Sequence, residues 1–247
     1  MKTRSWILGA AVTVTGLVSA QAQVDIGFTF ATAGPVATLN NTSGTPVNFS
    51  VSAFSIGQTF ATISGSNPEN GTVSTGYVNP IPGSGGTPSG TFNYDLISKD
   101  GAYASGTSSY YSVTVTPSPG FRVRFTDFDF GAYRTSIGAT SWLLAWSSDS
   151  FATPLVGTTA MPGATTWTLA SSSPTAATSA TAGAPVEFRL YTFGGTGATG
   201  TTASVRIDDL KLQVAAVPEA SDCALFGSAA IVGFTWWRRS KKSVKQA

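Results

Sequence analysis

The stretch Phe121-Arg122-Val123-Arg124-Phe125-Thr126-Asp127-Phe128-Asp129-Phe130 decides the fold. Phe121, Val123 and Phe125 alternate with Arg122, Arg124 and Thr126, the period-two pattern of a strand with one buried face. The apolar phase then slips by one residue, so that Phe128 and Phe130 take the even positions and Asp127 and Asp129 the odd ones. A one-residue slip inside a strand predicts a β-bulge, which re-aims the side chains around it. Working outward, Val24, Ile26, Phe28 and Phe30 alternate with Asp25, Gly27 and Thr29. Val186, Phe188 and Leu190 alternate with Glu187, Arg189 and Tyr191, while Trp142, Leu144 and Trp146 share one phase and are expected in the core. A second slip separates Val205 and Ile207 from Leu210, Leu212 and Val214, with Asp208 and Asp209 between them. Clusters of Gly, Pro, Asn and Ser divide these runs and supply the turns. No 3.6-residue period is sustained between residues 23 and 216. The pattern predicts an all-β domain, an antiparallel β-sandwich of jelly-roll or lectin-like type. Residues 64–90, rich in Gly and Pro, read as a long loop or insertion, and residues 171–183 as a Ser/Thr/Ala tract.

The chain has 247 residues, only 11% of them charged, and a formal net charge of +2. That positive sign comes from the two tips, because the middle holds more Asp and Glu than Lys and Arg. No cluster of cations lies in the middle, which argues against nucleic acid as a partner. There is no His, and the single Cys is Cys223, near the C-terminus. A Ser-His-Asp triad, an imidazole metal site and an intramolecular disulfide are therefore excluded. No Gly-rich motif joins a strand to a helix, so nucleotide binding has no support. A carboxylate pair is what remains for catalysis, as in a polysaccharide hydrolase or lyase. Nothing in the sequence selects such a pair, and the expectation is a protein that is not an enzyme.

The two ends read as addresses. Lys2 and Arg4 precede an apolar run over residues 6–18, followed by Ser19-Ala20-Gln21-Ala22. This is the form of a signal peptide spanning residues 1–22, with Ala20 and Ala22 at an A-x-A cleavage site. The C-terminal tail, residues 217–242, has three parts. Val217-Pro218-Glu219-Ala220-Ser221 comes first, then an apolar run over residues 223–237, then the basic residues 238–242 headed by Arg238 and Arg239. As a transmembrane helix the apolar run would reach about 22 Å, short of the roughly 30 Å hydrocarbon core, which suits a temporary stop-transfer element. Its basic end would stay cytoplasmic and leave the β domain on the far side.

That order resembles the bacterial PEP-CTERM sorting signal: a Pro-Glu-Pro motif, a hydrophobic helix and an Arg-rich end. Pro218 and Glu219 match the motif, and Ala220 stands where the family has its second Pro. The resemblance implies an exosortase and the secretion machinery as partners. It also implies transient inner-membrane anchoring through the helix, then a place at the cell surface or in a biofilm's extracellular matrix. More loosely, Thr140-Ser141-Trp142, Ser147-Ser148-Asp149-Ser150-Phe151, Glu187-Phe188-Arg189-Leu190-Tyr191 and Arg206-Ile207-Asp208-Asp209-Leu210 resemble the β-domains that precede this tail.

Two sets of candidate site residues follow. In the carbohydrate-binding jelly rolls that the chain resembles, a structural Ca²⁺ ties the first strand to the last, a place that Asp25, Asp208 and Asp209 would suit. Calcium takes six to eight oxygens, and these carboxylates are its expected donors. The competing expectation is solvation, or pairing with Arg206, Lys211 or Arg124. For carbohydrate, Trp167, Tyr110 and Tyr133 lie near turns, as do Tyr77 and Tyr103, and an aromatic face stacks on the apolar C–H face of a sugar ring. For each of these rings the competing expectation is ordinary packing. Three functions thus stay open, in this order: a non-catalytic structural or adhesive component of exopolysaccharide, a carbohydrate-binding module, and last a polysaccharide-active hydrolase or lyase.

Overall fold

The computed structural model describes residues 23–28, 38–40, 47–57, 92–95, 103, 108, 110–162, 165–172, 174–195 and 204–219. The compact unit Gln21–Val217 contains the sheets. The signal peptide and its Ala20 and Ala22, Tyr77, and the tail from Ala220 with Ser221, Arg238 and Arg239 lie outside the described residues. Among the described residues no helix is long and apolar enough to cross a membrane.

Among the described residues thirteen strands run in the order β1 Val24–Phe28, β2 Thr38–Asn40, β3 Phe49–Val51, β4 Ser55–Gly57, β5 Phe92–Asp95, β6 Tyr110–Pro117, β7 Phe121–Arg134, β8 Ser141–Trp146, β9 Val156–Ala160, β10 Thr168–Ser171, β11 Ala177–Thr178, β12 Val186–Phe193 and β13 Ser204–Pro218. A short 3₁₀ turn, Ser147–Asp149, follows β8. The first sheet has the order β10-β7-β13-β1-β2, with β11 also on β7 and β5 also on β13. The second has the order β3-β6-β12-β8-β9, with β4 also on β6. From β5 onward six of the eight connections carry the chain from one sheet to the other, which is what interlocks them. Pro218 ends β13, as the break before the tail predicts, since proline cannot donate to a ladder.

One core joins the two sheets. The first sheet supplies Ile26, Phe28, Val123, Phe125, Phe128, Phe130, Val205, Ile207, Leu210 and Leu212, and the second Tyr111, Val113, Val115, Trp142, Leu144, Phe188 and Leu190. Trp142 packs against Phe130 at 5.2 Å between ring centroids, nearly edge-on. Each such side chain contributes roughly 1.5–3 kcal/mol on burial, so a core of this size holds the sandwich without a disulfide.

Both phase slips are present, and each coincides with a change of partner strand. In β7, Val123 and Phe125 point inward, then Phe128, Phe130 and Ala132. Arg124–Phe125 pairs with β11, whereas residues 129–132 pair with β10. In β13, Val205 and Ile207 are buried, then Leu210, Leu212 and Val214. Residues 204–207 pair with β5 and residues 210–214 with β1. Asp209, with φ of 43°, absorbs the extra residue in left-handed backbone. The bulge lets one long strand face the core along its whole length while exchanging neighbours.

Two features depart from the sequence pattern. Residues 171–183 are not wholly irregular, because the strand β11 lies within them. The second sheet is also buried on its outer side. Leu143, Ala145, Tyr191 and Phe193 occupy the phase expected to face solvent, and they form a second cluster with Tyr103, Tyr110 and Phe151.

Candidate functional site

After its slip, β7 turns Asp127, Asp129, Gly131 and Tyr133 to the outer side of the first sheet, because Phe128, Phe130 and Ala132 take the inner side. The next strand, β10, begins with Thr168 opposite Ala132 and continues with Leu169 opposite Gly131. Trp167 therefore comes alongside Tyr133. The turn before it is set by Thr165, whose φ is 61° and whose N–H donates to the Arg134 carbonyl at 2.9 Å. The two rings meet at 5.6 Å between centroids and 46° between planes, both half-buried. Ala170 points inward, so Leu169 points outward, and at 37% exposure it is the exposed large hydrophobic residue among those described. Opposite it Gly131 has no side chain. The result is an apolar strip of Tyr133, Trp167 and Leu169.

Arg206 closes one end of this strip. On β13 its neighbours Val205 and Ile207 point inward, and its guanidinium lies 5.1 Å from the Tyr133 ring centroid, within cation–π range. Arg206 Nε is buried and has no hydrogen-bond partner. Among the described residues this guanidinium has no carboxylate against it.

Farther along the same side, past the β13 bulge, the charge reverses. Lys211 Nζ and Asp129 Oδ2 form an ion pair at 2.6 Å. Burial pushes the Asp129 carboxyl up, Lys211 draws it back, and the nearby Asp127 and Asp25 charges push it up again. Burial alone would lower Lys211, but its bond to Asp129 and the fields of Asp129, Asp127 and Asp25 outweigh that, and the net direction is upward. Gln213 Nε2 donates to Asp25 Oδ1 at 2.8 Å.

The proposed calcium donors are not brought together here. Asp25 stands opposite Gln213, four residues beyond Asp209, a separation on the order of 13 Å along the strand. Asp208 and Asp209 are both buried at the bulge, where Asp208 Oδ1 accepts the Asp209 N–H at 2.9 Å. Among the described residues no three carboxylates are arranged to hold a metal ion. The expected Lys211 pairing exists, but with Asp129.

The carbohydrate candidates divide. Trp167 and Tyr133 come together, whereas Tyr110 lies on the second sheet. There the Arg189 guanidinium is sandwiched between the Tyr110 and Phe151 rings, 4.0 and 3.9 Å from their centroids. Arg189 also makes two bonds to Glu187, at 3.0 and 2.9 Å. Burial would lower its affinity for a proton, yet Glu187 and the adjacent Tyr191 hydroxyl outweigh that and raise it. One face of Tyr110 is thus already occupied. Phe151 reaches Arg189 because it and Ser150 both take left-handed backbone, with φ of 60° and 59°.

A separate open cleft of about 510 Å³ lies between the turn after β8 and residues 175–180. Trp146, Ser148, Asp149, Leu155, Thr175 and Thr178 line it, and among the described residues Asp149 is its one carboxylate. Arg206 is the site residue that sequence reasoning missed as a ligand group. Its phase on β13, opposite to Val205 and Ile207, would have placed it outward, but nothing in the sequence puts β13 beside Tyr133.

No protein-family model and no curated protein matches the chain. Among solved structures, 67% of the chain is similar to the enzymatically active domain of tailspike protein 4 from bacteriophage CBA120, at 10% identity and a TM-score of 0.28. The chain covers 19% of that structure, and so slight a likeness leaves the function to be argued from the residues.

Proposed function

We propose that this chain is an exported, exosortase-sorted envelope protein whose sandwich is an adhesive, non-catalytic element that holds polysaccharide. The observation that carries the reading is the half-buried Tyr133–Trp167 pair, continued by exposed Leu169. The two rings are tilted by 46° to each other and so do not form a flat shelf, which suits a glycan that bends across them. Trp167 offers a polarisable face to the C–H groups of a sugar, beside a Tyr133 ring that lies under the Arg206 guanidinium. The order of strands in the two sheets supports a jelly roll, a scaffold used widely by lectins. The non-catalytic part rests on chemistry. Glycoside hydrolysis by the usual route needs two carboxyl groups flanking the scissile bond, and among the described residues the open cleft near Trp146 offers Asp149 alone. The export part rests on the signal peptide and the tripartite tail read from the sequence.

The test is co-sedimentation of the detergent-solubilised full chain with insoluble polysaccharides, including the exopolysaccharide of its host. Saturable binding that weakens about tenfold in Trp167→Ala is expected, the scale of losing one stacking surface worth about 1.4 kcal/mol. Absence of binding to every polysaccharide, or equal binding by the variant, would defeat the reading.

A further inference from the structure

We infer that the glycan held at the Tyr133–Trp167 strip is acidic, with a carboxylated sugar whose carboxylate is bound by Arg206. This rests on the polysaccharide reading above and names the ligand's class.

Among the described residues Arg206 is a cation with no counter-charge against it. Arg189 and Lys211 each lie against a carboxylate of the chain, Glu187 and Asp129 respectively. Among the described residues Arg206 has only the Tyr133 ring, and its Nε is buried without a hydrogen-bond partner. A guanidinium presents its donors in a planar fork that matches a carboxylate. The Arg206 Nε is closed off from solvent, so an incoming carboxylate would meet the two Nη groups, which are not among the buried atoms. Position supports the same conclusion. Arg206 on β13, Tyr133 on the neighbouring β7, and Trp167, which immediately precedes the next strand β10, come together along one sheet. A sugar ring stacked on Trp167 would therefore hold a ring carboxylate near the guanidinium. A neutral sugar would leave the fork unfilled, and a simple anion would leave the strip of Tyr133, Trp167 and Leu169 uncovered. The acidic group of Asp25, Asp127 and Asp129 lies at the far end of the same side. It would repel a polyanion there and confine it to the Arg206 end.

The experiment is calorimetric titration of the detergent-solubilised full chain with three probes of matched length. They are an oligogalacturonate, a neutral oligoglucan and oligoglutamate. The expected result is tightest binding of the oligogalacturonate. Arg206→Gln, which keeps most of the stem, should weaken that binding about tenfold or more, in line with losing a charge-assisted hydrogen bond, and weaken the neutral sugar's binding by clearly less. Trp167→Ala should weaken both sugars. Circular dichroism of each variant should match the parent and separate lost binding from lost folding. If both sugars bind equally and Arg206→Gln changes neither, this inference fails while the polysaccharide reading stands. If no sugar binds, both fail. Oligoglutamate binding as tightly as the oligogalacturonate would overturn the inference in favour of an acidic peptide.

Discussion

Asp129 and Lys211 show how one outward position on a sheet can be dominated by burial. The Asp129 side chain is 11% exposed, and its carboxyl is pushed above the usual carboxylate range despite an ion pair with Lys211. Desolvation and two neighbouring acids outweigh the partner. The sign follows from linkage. A carboxyl whose folded pKa is raised binds more protons folded than unfolded, so its contribution to stability falls as pH rises from 3.8 through the raised value. Lys211, also raised, contributes stability that is present below 10.5 and lost as pH rises above it. Lys211→Met is therefore expected to cost about 1–3 kcal/mol at neutral pH by leaving Asp129 buried beside Asp127 and Asp25. The cost should shrink as pH falls and Asp129 takes a proton. Urea unfolding at pH 7 and pH 4 checks this, and an equal loss at both would show that packing of the lysine stem is what matters. The acidic character of this patch was legible in the alternation of β7. Its union with Lys211 was not, because the residues are far apart in the chain.

At the scale of the element, β7 and β13 are long strands that a bulge divides into two halves, each with its own neighbour. The slip in hydrophobic phase was legible in both, since side chains alternate strictly and one extra residue reverses the face. The partners were not, because alternation records which side a residue faces and nothing about which strand lies alongside. On β12, residues Glu187, Arg189 and Tyr191 share a phase that reads as solvated, yet Tyr191 is fully buried. Burial pushes its phenol up, with Arg189 drawing it partly back. Arg189, planar between two rings and bonded twice to Glu187, anchors this outer layer. Arg189→Ala is expected to destabilise by about 1–2 kcal/mol through lost stacking and an unmatched Glu187. Arg189→Lys should recover little of this, because an ammonium cannot stack or bond in a planar fork. Thermal unfolding of both variants decides the point, and full recovery by lysine would reduce the cluster to simple charge pairing.

For the molecule as a whole, stability rests on one apolar core between two sheets, supplemented by the outer layer on the second. Asp25 stands some 13 Å along the strand from Asp209, too far for Asp25, Asp208 and Asp209 to share one cation in this arrangement. The melting temperature should accordingly be the same, within about 1 °C, in calcium and in chelator. A cation at a hundred times its dissociation constant would add about 2.7 kcal/mol, which moves a domain of this size by several degrees. A rise of that size with calcium would reinstate the clamp formed by Asp25, Asp208 and Asp209.

The sequence by itself determined the all-β class, the inward residues of the main strands, both bulges and the expected place of Trp142 and Trp146 in the core. These are local properties, written in the two-residue period of a half-buried strand and in the turn residues between runs. It also excluded chemistry that needs histidine or a cysteine in the domain, since composition is complete without a fold. Only the tertiary structure decided that Tyr133, Trp167 and Arg206 meet on one side of a sheet, that Tyr110 is occupied elsewhere by Arg189, and that Asp25 lies apart from Asp208 and Asp209. Those facts depend on the order and register of strands distant in the chain, which hydrogen bonding and the packing of a shared core set together.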